Sequence, residues 1–190
     1  MAISHIGTAT GTTSATPPTH RAGDLFLVIV TGPSTVTLPS GWTKLPTTAT
    51  SVFMCWKVAA SASEGCTGFT GGTSLILSVY RGVSRVGASE ENYQPSGGTW
   101  TYPALTMLQP GSMSWVVCAG VTSSGTLPTD APDGTTFRTN HNGTRDSILS
   151  DTNGPVSSWA AANSTDNTST YRTFSVELMA GGAALFWAFP

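Results

Sequence analysis

Acidic and histidine side chains could support acid–base or metal chemistry in this chain, but their spacing argues against both. Glu90 and Glu91 are adjacent, and neighbours on an extended chain point to opposite faces. They therefore do not form the matched acid and base of a glycoside hydrolase, and their polar setting predicts a solvated loop. His5, His20 and His141 lack the short-spaced pair typical of zinc sites, which predicts structural or surface roles.

Neither a nucleophile nor a calcium loop can be recognised from sequence motifs. The chain is rich in serine but contains no Gly-x-Ser-x-Gly elbow. Five aspartates lie among Asn, Gly and Thr, in segments whose oxygen atoms could bind calcium: Asp130, Asp133, Asp146, Asp151 and Asp166. None fits the twelve-residue calcium loop, so turns are the favoured interpretation and calcium the alternative. We therefore expect a protein that is not an enzyme, with no catalytic residue, metal or cofactor.

The composition favours a neutral β protein. Charged residues make up 9% of the 190 residues, the net charge is −2, and Ser and Thr together exceed a quarter of the chain. The cations are scattered, which argues against nucleic acid as a partner. No apolar run is long enough to span a bilayer and no secretory leader is visible, so we expect the protein to fold in the cytoplasm where it is made. Cys55, Cys66 and Cys118 are an odd number without zinc-site spacing, which disfavours a disulfide scaffold.

Apolar periodicity predicts the strands that must position these residues. Residues 24–31 form a continuous apolar run, which indicates a strand buried on both faces. Residues 51–60 alternate, and residues 74–81 predict another buried strand. Gly and Pro interrupt the chain every few residues, which favours many short strands over helices.

The second part of the chain repeats the first. Gly111-Ser-Met-Ser-Trp-Val-Val follows Gly23-Asp-Leu-Phe-Leu-Val-Ile by 88 residues, and the apolar residues 183–189 parallel residues 75–80. The predicted fold is all-β: one antiparallel β-sandwich domain over residues 1–190, jelly-roll-like or immunoglobulin-like. Its two pseudo-repeated halves, about 1–85 and 103–190, are joined by a polar segment, 86–102.

Aromatic residues outside the strand patterns are candidates for contact with a partner. Three lie in or beside the polar segment, where exposed rings would anchor a neighbour or would cap an open end of the sandwich. Three more lie in the apolar C-terminal stretch, which must be buried in its own sandwich or against another subunit. The candidate interface residues are Tyr93, Trp100, Tyr102, Phe186, Trp187 and Phe189.

Several motifs together resemble a family of phage-encoded β-sandwich proteins. Gly-Thr-Thr-Ser-Ala begins at Gly11, Pro-Thr-His at Pro18 and Ala-Gly-Asp-Leu at Ala22; the likeness continues in Leu38-Pro-Ser-Gly-Trp-Thr and Asp151-Thr-Asn-Gly-Pro-Val-Ser-Ser-Trp. The resemblance covers nearly the whole chain and implies a structural protein of a virion, without catalytic residues.

The function expected from this resemblance is that of a head decoration or cement subunit on the capsid exterior of a tailed phage. The alternative is a tail, baseplate or fibre component with a host-adhesive or carbohydrate-binding role. Expected partners are other virion proteins, either the major capsid protein or tail proteins, and further copies of the chain, for which a trimer is one arrangement. A host surface glycan is a further expected partner if the chain belongs to the tail. We expect neither nucleic acid nor a membrane as a partner.

Overall fold

The computed structural model describes residues 1–109, 113–123, 127–168 and 170–181, and this part of the chain forms twelve strands. The strands are β1 (Ser4–Gly11), β2 (Leu25–Thr31), β3 (Thr43–Lys44), β4 (Val52–Val58), β5 (Ser74–Arg81), β6 (Val83–Gln94), β7 (Gly98–Tyr102), β8 (Ser114–Thr122), β9 (Thr136–His141), β10 (Asp146–Asp151), β11 (Ala162–Thr168) and β12 (Tyr171–Ala180). Within the described ranges no helix is long and apolar enough to cross a membrane.

The strands form two antiparallel five-stranded sheets, which confirms the predicted all-β sandwich. The first sheet has the order β1-β5-β2-β4-β3 and the second the order β6-β12-β8-β10-β9. In chain order the two sheets have the same layout, apart from β7 and β11, which form a separate two-stranded sheet. Each half of the chain therefore makes one whole sheet, whereas the strands of an immunoglobulin domain alternate between sheets.

The central strands β2 and β8 occupy equivalent places and are buried on both faces, as their apolar runs predict. Alternate residues point to opposite faces. Leu25, Leu27 and Ile29 of β2 face the core between the sheets, while Phe26 and Val28 face outward into a second apolar cluster. In β8, Trp115 and Val117 point inward and Val116 and Cys118 point outward.

Other segments of the chain cover the outer face of each five-stranded sheet. This cover explains why the central strands are apolar on both faces. Loops with Val36, Trp42 and Phe69 cover the first sheet, and β7 and β11 contribute to the cover of the second. Each cover contains an isolated backbone bridge at the equivalent place: Ala15 pairs with Cys66 in the first and Leu105 with Trp159 in the second.

Two boundaries differ from the sequence prediction. Residues 86–102 are not a connecting loop: they fall largely in the edge strand β6 and the cover strand β7. In the second sheet the place of β5 is taken by β12, between β6 and β8, and not by residues 183–189, which lie outside the described residues. Strand β12 is almost wholly buried, but its polar sequence, Tyr-Arg-Thr-Phe-Ser-Val-Glu, did not predict a strand.

Gly120 in β8 is required by the cover of the second sheet. A Cβ at this position would lie 2.3 Å from Cζ3 of the buried Trp100 ring. Gly120→Ala is therefore expected to lower the free energy of unfolding by about 1–3 kcal/mol, since the packed ring must move. Urea denaturation checks this, with Gly154→Ala as control because its nearest atom lies 3.8 Å away. Equal midpoints for the two variants would contradict the prediction.

Candidate contact surface at one end of the sandwich

An apolar groove of about 510 Å³ opens at the end of the sandwich where β1 and β8 begin and β12 ends. Its lining includes Ile3, Met113, Trp115, Pro155, Ala180 and Gly181. The volume lies within the range of about 300–1,000 Å³ found for binding pockets. The groove can therefore accept apolar side chains of a protein segment.

Trp115 connects the groove to a buried polar cluster between the sheets. Its ring meets that of Tyr80 edge-on, with centroids 6.4 Å apart. The Tyr80 hydroxyl donates to Asp151 Oδ2 at 2.9 Å, and this hydrogen bond joins β5 of the first sheet to β10 of the second. The groove is thus backed by a direct bond between the sheets.

Asp151 is the centre of this cluster and has a partner for each of its oxygen atoms. The Arg138 guanidinium donates from Nε at 2.9 Å and from Nη2 at 2.7 Å, and the Asn153 backbone N–H donates at 2.8 Å. Arg138 Nη2 also donates to Asn153 Oδ1 at 2.8 Å. Asn153 itself has a left-handed backbone conformation, with a φ of 48°. The ion pair therefore fixes the turn that forms one wall of the groove.

Two histidines lie at the junction between the sheets. The His5 ring packs on Tyr80 with centroids 5.3 Å apart. Burial and the positive charge of Arg138 lower the pKa of His5, against the opposing effect of Asp151. Burial also lowers the pKa of His141, which Asp146 opposes. Both histidines therefore favour the neutral form in the folded chain.

The histidines predict that the fold loses stability as the pH falls. Their folded pKa values lie below the value of about 6.5 of the unfolded chain, so the unfolded chain binds protons first. The contribution is fully present above about pH 7 and decreases as the pH falls below about 6.5. Urea denaturation at several pH values from about 7 downward through about 6.5 measures this slope of stability against pH, which we expect to flatten in the His5→Gln/His141→Gln double variant. An unchanged slope would contradict this origin.

Ser74 and His141 form a hydrogen-bonded pair that resembles part of a catalytic triad, but its burial gives it a structural role. Ser74 Oγ lies 2.8 Å from His141 Nδ1 and 3.0 Å from Ser147 Oγ. Ser74 is fully buried, whereas a nucleophile must reach its substrate. The three side chains instead form a second polar bond between the sheets.

The predicted interface residues do not come together on one surface. Trp100 and Tyr102 are fully buried in the cover of the second sheet, so the prediction of exposed anchors is wrong for both. Tyr93 is half-exposed, and the Arg172 guanidinium lies 4.1 Å from its ring centroid. Phe186, Trp187 and Phe189 lie outside the described residues.

Several acidic residues have structural partners where the sequence suggested loops. Glu90 and Glu91 lie in the edge strand β6, and Glu91 forms an ion pair with Arg172. Asp146 and Asp151 are buried in β10 and not in exposed turns. Asp130 does lie between strands, where its Oδ2 accepts the backbone N–H of Thr165 at 2.6 Å. Within the described ranges no three His, Cys, Asp or Glu side chains are grouped as a metal site.

The three cysteines are buried and free, and Cys55 and Cys118 pack as small residues in the apolar clusters outside the first and second sheets. Burial raises the pKa of the Cys66 thiol to about 12 and raises those of Cys55 and Cys118 as well. The thiols therefore stay protonated, which is the unreactive form.

Comparison of the chain with protein-family models, with curated proteins and with solved structures finds no match.

Glu177 is a residue of structural importance that the sequence reasoning missed. Its fully buried carboxylate accepts the N–H groups of Ala88, Leu108 and Gln109 at 2.9–3.1 Å, and the Ser114 hydroxyl at 2.8 Å. It thereby ties the loop after β7 to strands β6, β8 and β12 of the second sheet. A single acidic residue within the apolar run Val-Glu-Leu-Met was the available signal, since buried carboxylates are rare unless they are paired.

Proposed function

We propose that this chain is a structural protein of a tailed-phage particle, most specifically a head decoration or cement subunit on the capsid exterior. The observation that carries the proposal is that charged side chains are used to make ion pairs within the fold. Many of the charged side chains are paired within the fold: Asp24 with Arg81, Asp151 with Arg138, Glu91 with Arg172 and Glu64 with Lys57. The remaining exposed charges, such as Arg85, Glu90 and Asp133, are scattered singly, and the groove at one end of the sandwich is apolar.

A surface of this kind suits permanent contacts in an assembly. Complementary charges mainly increase the rate of encounter and exclude wrong partners, while apolar contacts are enriched at the core of an interface. The motif order that resembles phage-encoded β-sandwich proteins supports a virion as that assembly. The same features suit a tail or baseplate component, and the position on the particle separates the two.

Antibody labelling of intact particles tests the proposal. Particles produced from the genome that encodes this chain are labelled with an antibody against it and viewed by negative-stain electron microscopy. Labels over the whole shell are the expected result for a decoration subunit. Labels at one pole would contradict decoration and favour the tail, and unlabelled particles would contradict a role on the exterior.

Attachment to the particle is expected to survive high salt. At about 1 M salt the Debye length falls to about 3 Å, which removes most attraction between exposed charges but leaves apolar contacts intact. Purified particles are washed at rising salt and repelleted, and the bound fraction is measured by quantitative mass spectrometry. Full release at a few tenths molar salt would show that the interface is electrostatic.

A further inference from the structure

The apolar groove is a cleft that a further segment of protein could fill. Met113 on its wall is 37% exposed and Pro155 is exposed as well, while the buried Trp115 and Ala180 complete the apolar lining. Concave sites lined mainly by apolar side chains are the usual binding places for other groups. The chain itself contains a segment with the required chemistry.

The segment that follows β12 is apolar and starts at the groove. Gly181 lines the groove, and its N–H donates to Gly82 O at 3.4 Å. Residues 182–190, which lie outside the described residues, read Gly-Ala-Ala-Leu-Phe-Trp-Ala-Phe-Pro. The segment has no charged side chain and carries four large apolar ones, Leu185, Phe186, Trp187 and Phe189.

We propose that residues 182–190 of the same chain occupy the groove. Nine residues can span at most about 30 Å, so the segment is long enough to cross the groove next to which it starts. The covalent link gives it an effective concentration in the millimolar range, well above that of a separate partner. Each large apolar side chain that leaves water favours the bound state. This inference concerns one molecule and does not depend on the proposed place in a virion.

Cysteine cross-linking in the full chain tests the proposal. The test variant combines Met113→Cys, in the groove wall, with Trp187→Cys. The control combines Trp187→Cys with Ser84→Cys, because Ser84 is exposed and its Cβ lies only 3.7 Å from a Cβ built on Gly181. Ser84 is therefore equally easy to reach but is not part of the groove lining. The three native cysteines are buried and should not compete.

We expect the groove pair to form a disulfide within one molecule and the control pair to form none. Non-reducing electrophoresis and mass spectrometry of the oxidised protein measure both. Equal oxidation of the two pairs would overturn the proposal, and so would disulfide-linked dimers, which would place the segment in the groove of a second copy.

A second measurement avoids introduced cysteines. The Phe186→Ser/Trp187→Ser/Phe189→Ser variant should expose the groove and so increase the fluorescence of the apolar dye ANS when it is added to the folded protein. Dye fluorescence equal to that of the unmodified chain would also overturn the proposal.

Discussion

Replacing Asp151 by alanine is expected to lower the free energy of unfolding by about 3–5 kcal/mol, which is the usual cost of removing one partner of a buried ion pair. Asp151 is fully buried, and the Arg138 side chain is only 15% exposed. The substitution leaves the guanidinium without its carboxylate and the buried Tyr80 hydroxyl without its acceptor. It also releases the Asn153 turn at the groove.

Urea denaturation measures this effect, with Asp133→Ala as the matched control because Asp133 is exposed. The control should change stability by less than about 0.5 kcal/mol, as surface substitutions usually do. A similar small change for Asp151→Ala would show that the bond between the sheets contributes little. The Tyr80→Phe/Asp151→Ala double variant should lose less free energy of unfolding than the sum of the losses in the two single variants, since both changes remove the same hydrogen bond.

Glu177→Ala is expected to have an effect of similar size, a loss of at least about 3 kcal/mol, because hydrogen bonds to a charged group contribute about 1.5–3 kcal/mol each. Three backbone N–H groups and the Ser114 hydroxyl would lose their shared acceptor. Amide hydrogen exchange should accelerate most at Ala88, Leu108 and Gln109, while Glu90→Ala, on the exposed side of β6, serves as control. Unchanged exchange at these amides would contradict the assignment.

The same carboxylate gives the fold an acid-sensitive contribution. Burial alone would raise the pKa of Glu177, but its N–H and hydroxyl donors lower it below the usual value. The contribution is therefore present above the pKa of about 4.3 of an unfolded glutamate and is lost as the pH falls through the lower folded value. This loss begins at a lower pH than the loss caused by the histidines, because an unfolded glutamate has a lower pKa than an unfolded histidine.

The buried strands could be predicted from the sequence because they carry continuous or alternating apolar residues. The predicted strands at 24–31, 51–60 and 74–81 correspond to β2, β4 and β5 within one or two residues at each end. Strands β6 and β7 were not predicted, since an edge strand and a cover strand are half polar and lack the two-residue apolar period. Trp100 and Tyr102 were therefore assigned to the polar segment, although they belong to the cover of the second sheet.

The polar clusters and the groove depend on pairings that are distant in the sequence. Tyr80 and Asp151 are 71 residues apart, and neither has a local signal that identifies the other. Among its Asn and Gly neighbours, Asp151 looked like a turn residue. The groove combines the start of β8, the end of β12 and two further segments, so only the pairing of the strands reveals it.

The most direct test of the central claim, that this chain is a structural component of a virion, is its copy number in purified particles. Particles produced from the genome that encodes the chain are purified on a density gradient, and the chain and the major capsid protein are quantified by mass spectrometry across the fractions. The proposal predicts that the chain sediments with the particles in a fixed ratio to the capsid protein, and that the ratio stays constant through high-salt washing. Recovery of the chain only in the soluble fractions at the top of the gradient would contradict it.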